Sequence, residues 1–370
     1  MSKSLTIKIF APFKKLGHAL ARIVFSPRKS SLPFSVSKGT RILFLRHDAL
    51  GDMISTLPML RMVKQHIPHA ELHVLCTKAN MEIIEHCDFI DHIHVAERSI
   101  TDSPYLHIGL IRKIRSMNVD IIVNCLTSKA SKNGVLTSLL SGKNTLSCSV
   151  FSGEQYELYY SSQSHQAADM KTMWEKMLML GAETFGIAPL EQDKRPILPS
   201  LPEHADNAKK TLQELGLQSG KFIAINLSVG QDRNRWDEQA YSKLISYLLS
   251  MGEKPLLFGM SADAPFIEQL EKQFPDLHHY PFGRHILEIG EALRYAAWGI
   301  SPDTGFLHLA SAAQCPIVGL YGYLPEVAKD EWIPYGIPHR RVFSSTQAVR
   351  DISVKDVIQA CNELTEMLRS

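Results

Sequence analysis

Residues Ser301–Gly322 read SPDTGFLHLASAAQCPIVGLYG and carry the clearest indication of the fold class. Their pattern predicts a short apolar strand that ends at Asp303, a helix that begins at Gly305 and a second apolar strand over Ile317–Tyr321. Parallel strands need a crossover of about a dozen residues to return the chain to the same end of the sheet, and the helix between the two strands supplies it. The two strands are therefore expected to be parallel. The stretch therefore predicts an α/β domain built on a parallel sheet.

The same alternation extends through most of the chain. Strands are predicted at Arg41–Arg46, Glu71–Cys76, His92–Val95 and Asp120–Leu126, and again at Phe222–Leu227, Pro255–Phe258, Gly299–Ser301 and Ile317–Tyr321. Helices are predicted at Ile54–His66, Ala79–His86, Leu106–Met117, Ser131–Leu140, Ala168–Leu180, Trp236–Ser250, Ala264–Gln273, Leu287–Ala297 and Gly305–Ala313. Strands that are apolar nearly throughout indicate sheets covered on both faces.

The alternation restarts after a proline-rich stretch, which divides the chain. We expect a basic amphipathic arm at 1–38, a Rossmann-like domain at 39–200, a second at 201–352 and a C-terminal helix at 353–370. Two open parallel sheets imply a ligand crevice at the carboxyl ends of their strands, where the two domains face each other.

Composition excludes several classes of protein. The chain has 370 residues, of which 45% are hydrophobic and 21% charged, as in a globular protein. No uncharged apolar run reaches the roughly 18 residues of a spanning helix. The six cysteines lie far apart and form no CxxC pair, which favours reduced thiols in the cytoplasm over a disulfide framework.

The arm carries a strong charge asymmetry. It contains eight of the 40 basic residues and none of the 38 acidic ones, so the remaining chain carries about −6. Apolar residues recur there at helical spacing from Phe13 to Val24, which favours a helix lying on an anionic membrane surface. A signal peptide is the competing interpretation, but three lysines interrupt its apolar region. A disordered tail is the other alternative.

Three loops that follow predicted strands carry the candidate chemistry. The first, Arg46–Asp52, has one glycine where a dinucleotide fingerprint needs three, which argues against hydride transfer. Asp52 stands at its strand-to-helix turn, where a carboxylate either abstracts a proton from a sugar hydroxyl or simply caps the helix.

The second loop is the turn inside the opening stretch. Its helix starts at Gly305 and offers free N–H groups at the positive end of a dipole, which favours a diphosphate. Thr304 adds a hydroxyl donor, and His308 lies one helical turn later, although a lone histidine is usually structural.

The third loop, Ser228–Trp236, carries Arg233 and Arg235, whose forked donors suit phosphate. Histidines His86, His92 and His94 lie close together, but their spacing fits no standard zinc pattern, so no metal site is expected.

The three loops, in this order and spacing, resemble glycosyltransferase family 9, the family of the lipopolysaccharide core heptosyltransferases. The resemblance runs from about Arg41 to the C-terminus and is strongest in Ile42–Pro58 (ILFLRHDALGDMISTLP) and Ser301–Gly322. It implies a GT-B architecture, in which two Rossmann-like domains with parallel sheets face across a cleft. It also implies that the C-terminal domain holds the donor, that the N-terminal domain holds the acceptor and that no divalent cation is used.

The resemblance also implies a role for each candidate residue. Asp52 corresponds to the general base, and Arg46, Asp48 and Gly51 in the same turn correspond to acceptor contacts. The implied donor contacts are Ser228, Arg233, Arg235, Asp263, Arg284, Asp303, Thr304, Gly305 and His308. Many members carry a lysine where this chain has Asn234, which leaves the choice of donor open.

The expected reaction transfers a heptose from ADP-heptose to a Kdo or heptose hydroxyl of the lipopolysaccharide inner core, with inversion. The expected partners are the nucleotide sugar, a lipid-linked oligosaccharide and the inner face of the cytoplasmic membrane, reached through the arm, and no nucleic acid. Three alternatives remain open: a transferase using another nucleotide sugar, a sugar-nucleotide 2-epimerase of the same architecture, and a binding-only relative without turnover.

Overall fold

The protein forms two six-stranded parallel sheets in a computed structural model that describes residues 27–97, 100–128, 131–323 and 330–369. Twelve strands alternate with helices along the described chain. The first sheet uses strands from the N-terminal half, and the second uses strands from the C-terminal half. This is the α/β, GT-B-type arrangement expected from the sequence.

The first sheet has the strand order β3-β2-β1-β4-β5-β6. Its strands are β1 Arg41–Leu45, β2 Glu71–Thr77, β3 His92–Ala96, β4 Ile121–Asn124, β5 Leu146–Val150 and β6 Ser162–Ser164. Its helices are α1 Leu50–His66, α2 Lys78–Met81, α3 Ile108–Ser116, α4 Ser131–Leu140, α5 His165–Asp169 and α6 Met173–Phe185. The strand order reverses beside β1, which places a crevice at the carboxyl end of that strand.

The second sheet repeats the topology, with the order β12-β11-β10-β7-β8-β9. Its strands are β7 Ile223–Asn226, β8 Pro255–Phe258, β9 His278–His279, β10 Trp298–Pro302, β11 Ile317–Tyr321 and β12 His339–Phe343. Its helices are α7 Pro202–Glu214, α8 Glu238–Ser250, α9 Ala264–Gln273, α10 Ile286–Arg294, α11 Gly305–Ala313 and α12 Val354–Arg369. Here the order reverses between β7 and β10.

Both faces of the first sheet are buried, as its apolar strands require. Ile42 and Phe44 of β1 pack into the cluster that contains α1 and α6, whereas Leu43 and Leu45 pack into a second cluster on the opposite face. The first cluster also contains Leu307 of α11, so one apolar core runs from the N-terminal half into the C-terminal half. The junction between the halves is therefore packed.

The chain joins the folded N-terminal half earlier than residue 38. Phe34 is buried and donates its N–H to the Thr184 carbonyl oxygen at 2.8 Å, and the Ser30 N–H reaches the Ser161 carbonyl oxygen at 3.3 Å. Residues 1–26, which hold the predicted amphipathic helix, lie outside the described residues. Within the described residues, no helix has the length and apolar character needed to cross a membrane.

Candidate active site

The N-termini of α1 and α11 meet where the two halves face each other. A Cβ added to Gly305 would lie 3.4 Å from the backbone nitrogen of Gly51. A Cβ added to Gly51 would lie 2.5 Å from Cδ2 of His308. The contact at Gly51 leaves no room for a side chain, so glycine at this position allows the two helix starts to approach so closely.

A cavity lies on each side of this junction. Gly51, Thr304 and Gly305 line a cavity of about 260 Å³ on the side of the C-terminal sheet, here called the donor-side cavity. Asp48 and Asp52 line a cavity of about 660 Å³ on the other side, here called the acceptor-side cavity. Consecutive residues of one helix turn thus contact different cavities, and the start of α1 is the wall between them.

Asp52 is held by a fully buried arginine. Nη2 of Arg46 lies 3.1 Å from Oδ1 of Asp52, and Nε of Arg46 donates to the Asp52 carbonyl oxygen at 2.9 Å. Burial raises the pKa of Asp52 to about 6, opposed by the charge of Arg46 and assisted by those of Asp48 and Glu331. A carboxylate with this pKa is ionised at neutral pH and is a stronger base than an exposed aspartate.

Two of the residues expected to contact the acceptor do not line the acceptor-side cavity. The Arg46 side chain is 0% exposed and binds Asp48, Asp52 and the Cys125 carbonyl oxygen, so it positions carboxylates and does not touch an acceptor. Gly51 lines the donor-side cavity. Asp48 does line the acceptor-side cavity, with its Oδ1 lacking a hydrogen-bond partner among the described residues.

Asn226, which the sequence analysis did not single out, organises the donor-side loop. Its Nδ2 donates to the Ser228 carbonyl oxygen, the Ser301 hydroxyl and the Thr304 hydroxyl, and its Oδ1 accepts the Ser228 N–H. Thr304 in turn caps α11 by accepting the Phe306 N–H at 3.3 Å. An amide at the end of the otherwise apolar strand IAIN was the available signal.

The remaining donor-side candidates divide into lining and supporting residues. Ser228 lines the cavity, and its hydroxyl donates to Asp263. Asp263 is buried and also accepts the Met260 N–H and a guanidinium N–H of Arg235, at 3.0 and 3.3 Å. These internal partners engage both carboxylate oxygens, so Asp263 and Arg235 support the loop. The ribose contact of Asp263 stays a prediction.

Two arginines lie away from the lining of the donor-side cavity. Arg284 forms an ion pair with Glu288 at 3.7 Å, while the preceding Gly283 lines the cavity. The exposed Arg233 lies near Asp303, whose pKa burial raises to about 6 against the charge of that arginine. Asn234, at the position of the family lysine, donates to the Asp303 carbonyl oxygen at 2.8 Å.

His308 is buried beneath the junction. Its ring lies 6.0 Å from that of Trp174 and 5.7 Å from that of Trp332, which also lines the acceptor-side cavity. Burial, together with the charge of Arg46, lowers the pKa of His308 to about 4, so the imidazole is neutral at physiological pH. Its Nδ1 has no hydrogen-bond partner among the described residues.

Residues from distant loops complete the acceptor-side wall. Lys132 of α4 lines the cavity and pairs with Asp102, and Trp332 arrives from the C-terminal half. Oε1 of Glu331, the residue before Trp332, lies 2.6 Å from Nζ of Lys176 in α6. This ion pair holds the chain at Trp332 against α6. No local sequence pattern singles out these residues, because only the fold brings them to the cavity.

One group of possible metal ligands occurs among the described residues, and it lies away from both cavities. Ligand atoms of Glu71, His73 and His92 lie within 4.8 Å of one another. Glu71 and His92 are the first residues of β2 and β3, at the opposite end of the sheet from the carboxyl-end crevice. The group therefore has no part in the transfer site.

Comparison with known proteins identifies the family. The model of glycosyltransferase family 9 (heptosyltransferase) matches residues 108–359. Lipopolysaccharide heptosyltransferase 3 of Escherichia coli is 23% identical over 291 residues, covering 76% of this chain and 82% of that protein.

Two solved structures share the fold. A family 9 glycosyl transferase from Veillonella parvula has a TM-score of 0.75 at 17% identity, covering 91% of this chain and 100% of that one. E. coli heptosyltransferase WaaC with ADP has a TM-score of 0.68 at 18% identity, covering 88% of this chain and 100% of that one. At these identities, the two structures show a common architecture.

Proposed function

This chain is a glycosyltransferase that belongs to family 9, and we propose that it moves a heptose from ADP-heptose to a Kdo or heptose hydroxyl of the lipopolysaccharide inner core, with inversion and without a metal. The observation that carries the proposal is the junction itself. Asp52 contacts the acceptor-side cavity, whereas the adjacent Gly51 and the start of α11 contact the donor-side cavity. A base and a diphosphate-binding helix terminus thus face two sides of one wall.

In the proposed reaction, the Asp52 carboxylate takes the proton of the acceptor hydroxyl. The hydroxyl oxygen forms a bond to the anomeric carbon as the bond from that carbon to the diphosphate oxygen breaks. The electron pair of the broken bond leaves with ADP. Attack comes from the face opposite ADP, so the anomeric configuration inverts, and the raised pKa of Asp52 suits it to accept the proton.

The leaving diphosphate is stabilised on the donor side by the first turn of α11. Helix N-termini bind anions because their first N–H groups lack intrahelical partners and the dipole is positive there. Thr304 and Gly305 line the cavity at this terminus. His308, neutral because of its lowered pKa, contributes no positive charge to this terminus.

A mechanism without a metal is consistent with the donor-side lining. Among the described residues, no carboxylate lines the donor-side cavity, and the nearby Asp263 is engaged by Ser228 and Met260. We therefore expect EDTA to leave the transfer rate unchanged, with apo-protein in metal-free buffer as the sample. A rate that collapses with EDTA and returns with added magnesium or manganese would contradict the metal-free mechanism.

The direct test uses ADP-heptose and a soluble, deacylated core acceptor. We expect release of ADP in equal amount to the heptosyl product, whose anomeric configuration, read by NMR coupling constants, is opposite to that of the donor. Retention of configuration, or donor hydrolysis without transfer, would contradict the proposal.

A related transferase using another nucleotide sugar is the second candidate, because Asn234 replaces the family lysine. A thermal-shift panel of ADP, UDP and GDP separates the two, since a ligand at 100 times its dissociation constant adds about 2.7 kcal/mol of stability. The largest shift with UDP or GDP would favour the second candidate.

We also propose that the enzyme works at the cytoplasmic face of the inner membrane, where the basic arm contacts anionic lipid. Phe34 and Ser30 belong to the folded half, so a truncated protein should begin at Pro27. This truncation removes five arm cations (Lys3, Lys8, Lys14, Lys15 and Arg22). It should keep transfer to the soluble acceptor and sediment less with anionic vesicles. Equal sedimentation would exclude the arm as an anchor.

A further inference from the structure

An exposed apolar segment lies between β3 and β4, in the connection whose Thr101 lines the acceptor-side cavity. Tyr105, Leu106 and Ile108 are 68%, 56% and 47% exposed, although each is a large apolar side chain. The other exposed large apolar residues of the described chain, such as Leu190 and Met251, are separated from one another along the sequence. Three within four residues form a patch, and such patches commonly mark interaction sites.

The helix that follows this patch is basic. Arg112, Lys113 and Arg115 of α3 are exposed, and residues 103–119 contain no Asp or Glu. The buried residue of the helix is Ile114, which holds α3 against the sheet. The patch and the cations together form what we call the α3 face.

The apolar end of the α3 face follows the lining of the acceptor-side cavity closely in sequence. Thr101 and Lys132 line that cavity, and Asp102 forms an ion pair with Lys132. The patch begins at Tyr105, four residues after Thr101. The chain reach from Thr101 to Tyr105 is at most about 14 Å, so an object that covers the apolar end of the α3 face stands within that distance of the lining of the cavity in which Asp52 lies.

We propose that the α3 face docks on an anionic lipid bilayer and so presents the acceptor-side cavity to a lipid-linked acceptor. Exposed aromatic and aliphatic side chains enter the headgroup boundary, and neighbouring Arg and Lys side chains contact anionic headgroups. This surface is distinct from the N-terminal arm. The proposal rests on the proposed function only for the identity of the acceptor, and lipid binding itself is measured without any substrate.

The test uses the full-length protein and vesicles of phosphatidylcholine with or without phosphatidylglycerol. The first variant changes Tyr105, Leu106 and Ile108 to Ser, and its control changes Leu190 and Met251 to Ser. The second variant carries Arg112→Gln and Lys113→Gln, and its control carries Lys209→Gln and Lys210→Gln on the exposed surface of α7.

We expect each α3-face variant to lower the partition onto anionic vesicles by about tenfold, because both apolar contact and basic charge contribute. Both controls should partition as the wild type does. The rate of transfer to the soluble acceptor should be unchanged in the two α3-face variants and in their two controls. This rate separates a docking defect from a failure of the proposed function. Wild-type partition in both α3-face variants would overturn the proposal.

A second measurement reports directly on contact. An environment-sensitive dye, attached through Tyr105→Cys, should shift to shorter wavelength on anionic vesicles, and the same dye attached through Leu190→Cys should not. The six native cysteines are all buried, so the introduced thiol is the reactive one. If vesicles bind through the arm alone, the dye at position 105 stays in water, and this result would contradict docking by the α3 face.

Discussion

The two turns that meet at the junction each carry a carboxyl group, Asp52 after β1 and Asp303 after β10, and burial raises the pKa of both to about 6. Their surroundings differ. Asp52 lines the acceptor-side cavity beside the buried Arg46, whereas Asp303 lies near the exposed Arg233, with its carbonyl oxygen bound by Asn234. The comparison shows that a raised pKa alone does not assign a base. We assign the base by its position, because Asp52 lines the acceptor-side cavity and Asp303 lines neither cavity.

The N-terminal and C-terminal halves also differ in the residues that their turns carry at the junction. They share one strand order, yet the first turn of α1 carries a carboxylate held by a buried cation, and the first turn of α11 carries Thr304 and Gly305. A duplicated architecture therefore supports two different tasks. One turn is suited to take a proton and the other to hold an anion.

The largest expected effect is on the charged turn. Arg46→Met should lower the free energy of unfolding by about 3–5 kcal/mol, because it leaves the carboxylates of Asp48 and Asp52 without their buried counter-ion. Arg350→Met, which breaks the exposed pair with Asp232, should change it by about 0–1 kcal/mol. Urea unfolding of both variants measures the difference, and equal stability would mean that the Arg46 cluster does not stabilise the turn.

The close approach of the two turns is tested next. Gly51→Ala places a methyl group 2.5 Å from Cδ2 of the buried His308, so we expect a loss of about 1–3 kcal/mol in unfolding free energy and a lower transfer rate. Gly109→Ala meets nothing within 4 Å and should be neutral or slightly stabilising. If both variants unfold alike, the helix starts do not pack as closely as described.

The dependence of activity on pH separates the two carboxyls. A base with a raised pKa loses its reactive form as the pH falls through that pKa, so kcat/KM should fall about tenfold per pH unit below about 6. His308, with a pKa of about 4, stays neutral over most of this range. Asp303→Asn should keep this acid limb. A limb that disappears in that variant would assign the titration to Asp303.

Most of the fold followed from apolar periodicity, and the exceptions have physical reasons. The strands β1 and β11 are nearly continuous apolar runs, β2 and β10 mix apolar with polar or small residues, and the sequence predicts all four within two residues. The sequence of β5, LSCSV, is rich in serine, and that of β12, HRRVF, is charged, so neither carries the buried-strand pattern. The helix α7, which begins at Pro202, is missing from the predicted helices because proline also punctuates loops.

The position of a candidate site residue could be predicted where that residue directly follows a strand. Asp52, Thr304 and Gly305 stand at such ends, and the structure places them at the junction. The burial of Arg46 and the internal partners of Asp263 depend on tertiary packing, which no local pattern encodes. The same holds for Lys132 and Trp332, which come from separate elements.

The proposed role of Asp52 as the general base is tested most directly by the single-turnover rate of transfer by Asp52→Asn, with donor saturating and the soluble acceptor present. We expect a rate lower by about 100-fold or more, the usual contribution of a positioned base, with ADP binding unchanged in a parallel thermal-shift assay. Asp303→Asn provides the matched control, because its carboxyl has a similar pKa but lines neither cavity. Near-normal transfer by Asp52→Asn would contradict the assignment of Asp52 as the general base and leave it with only a structural role at the start of α1.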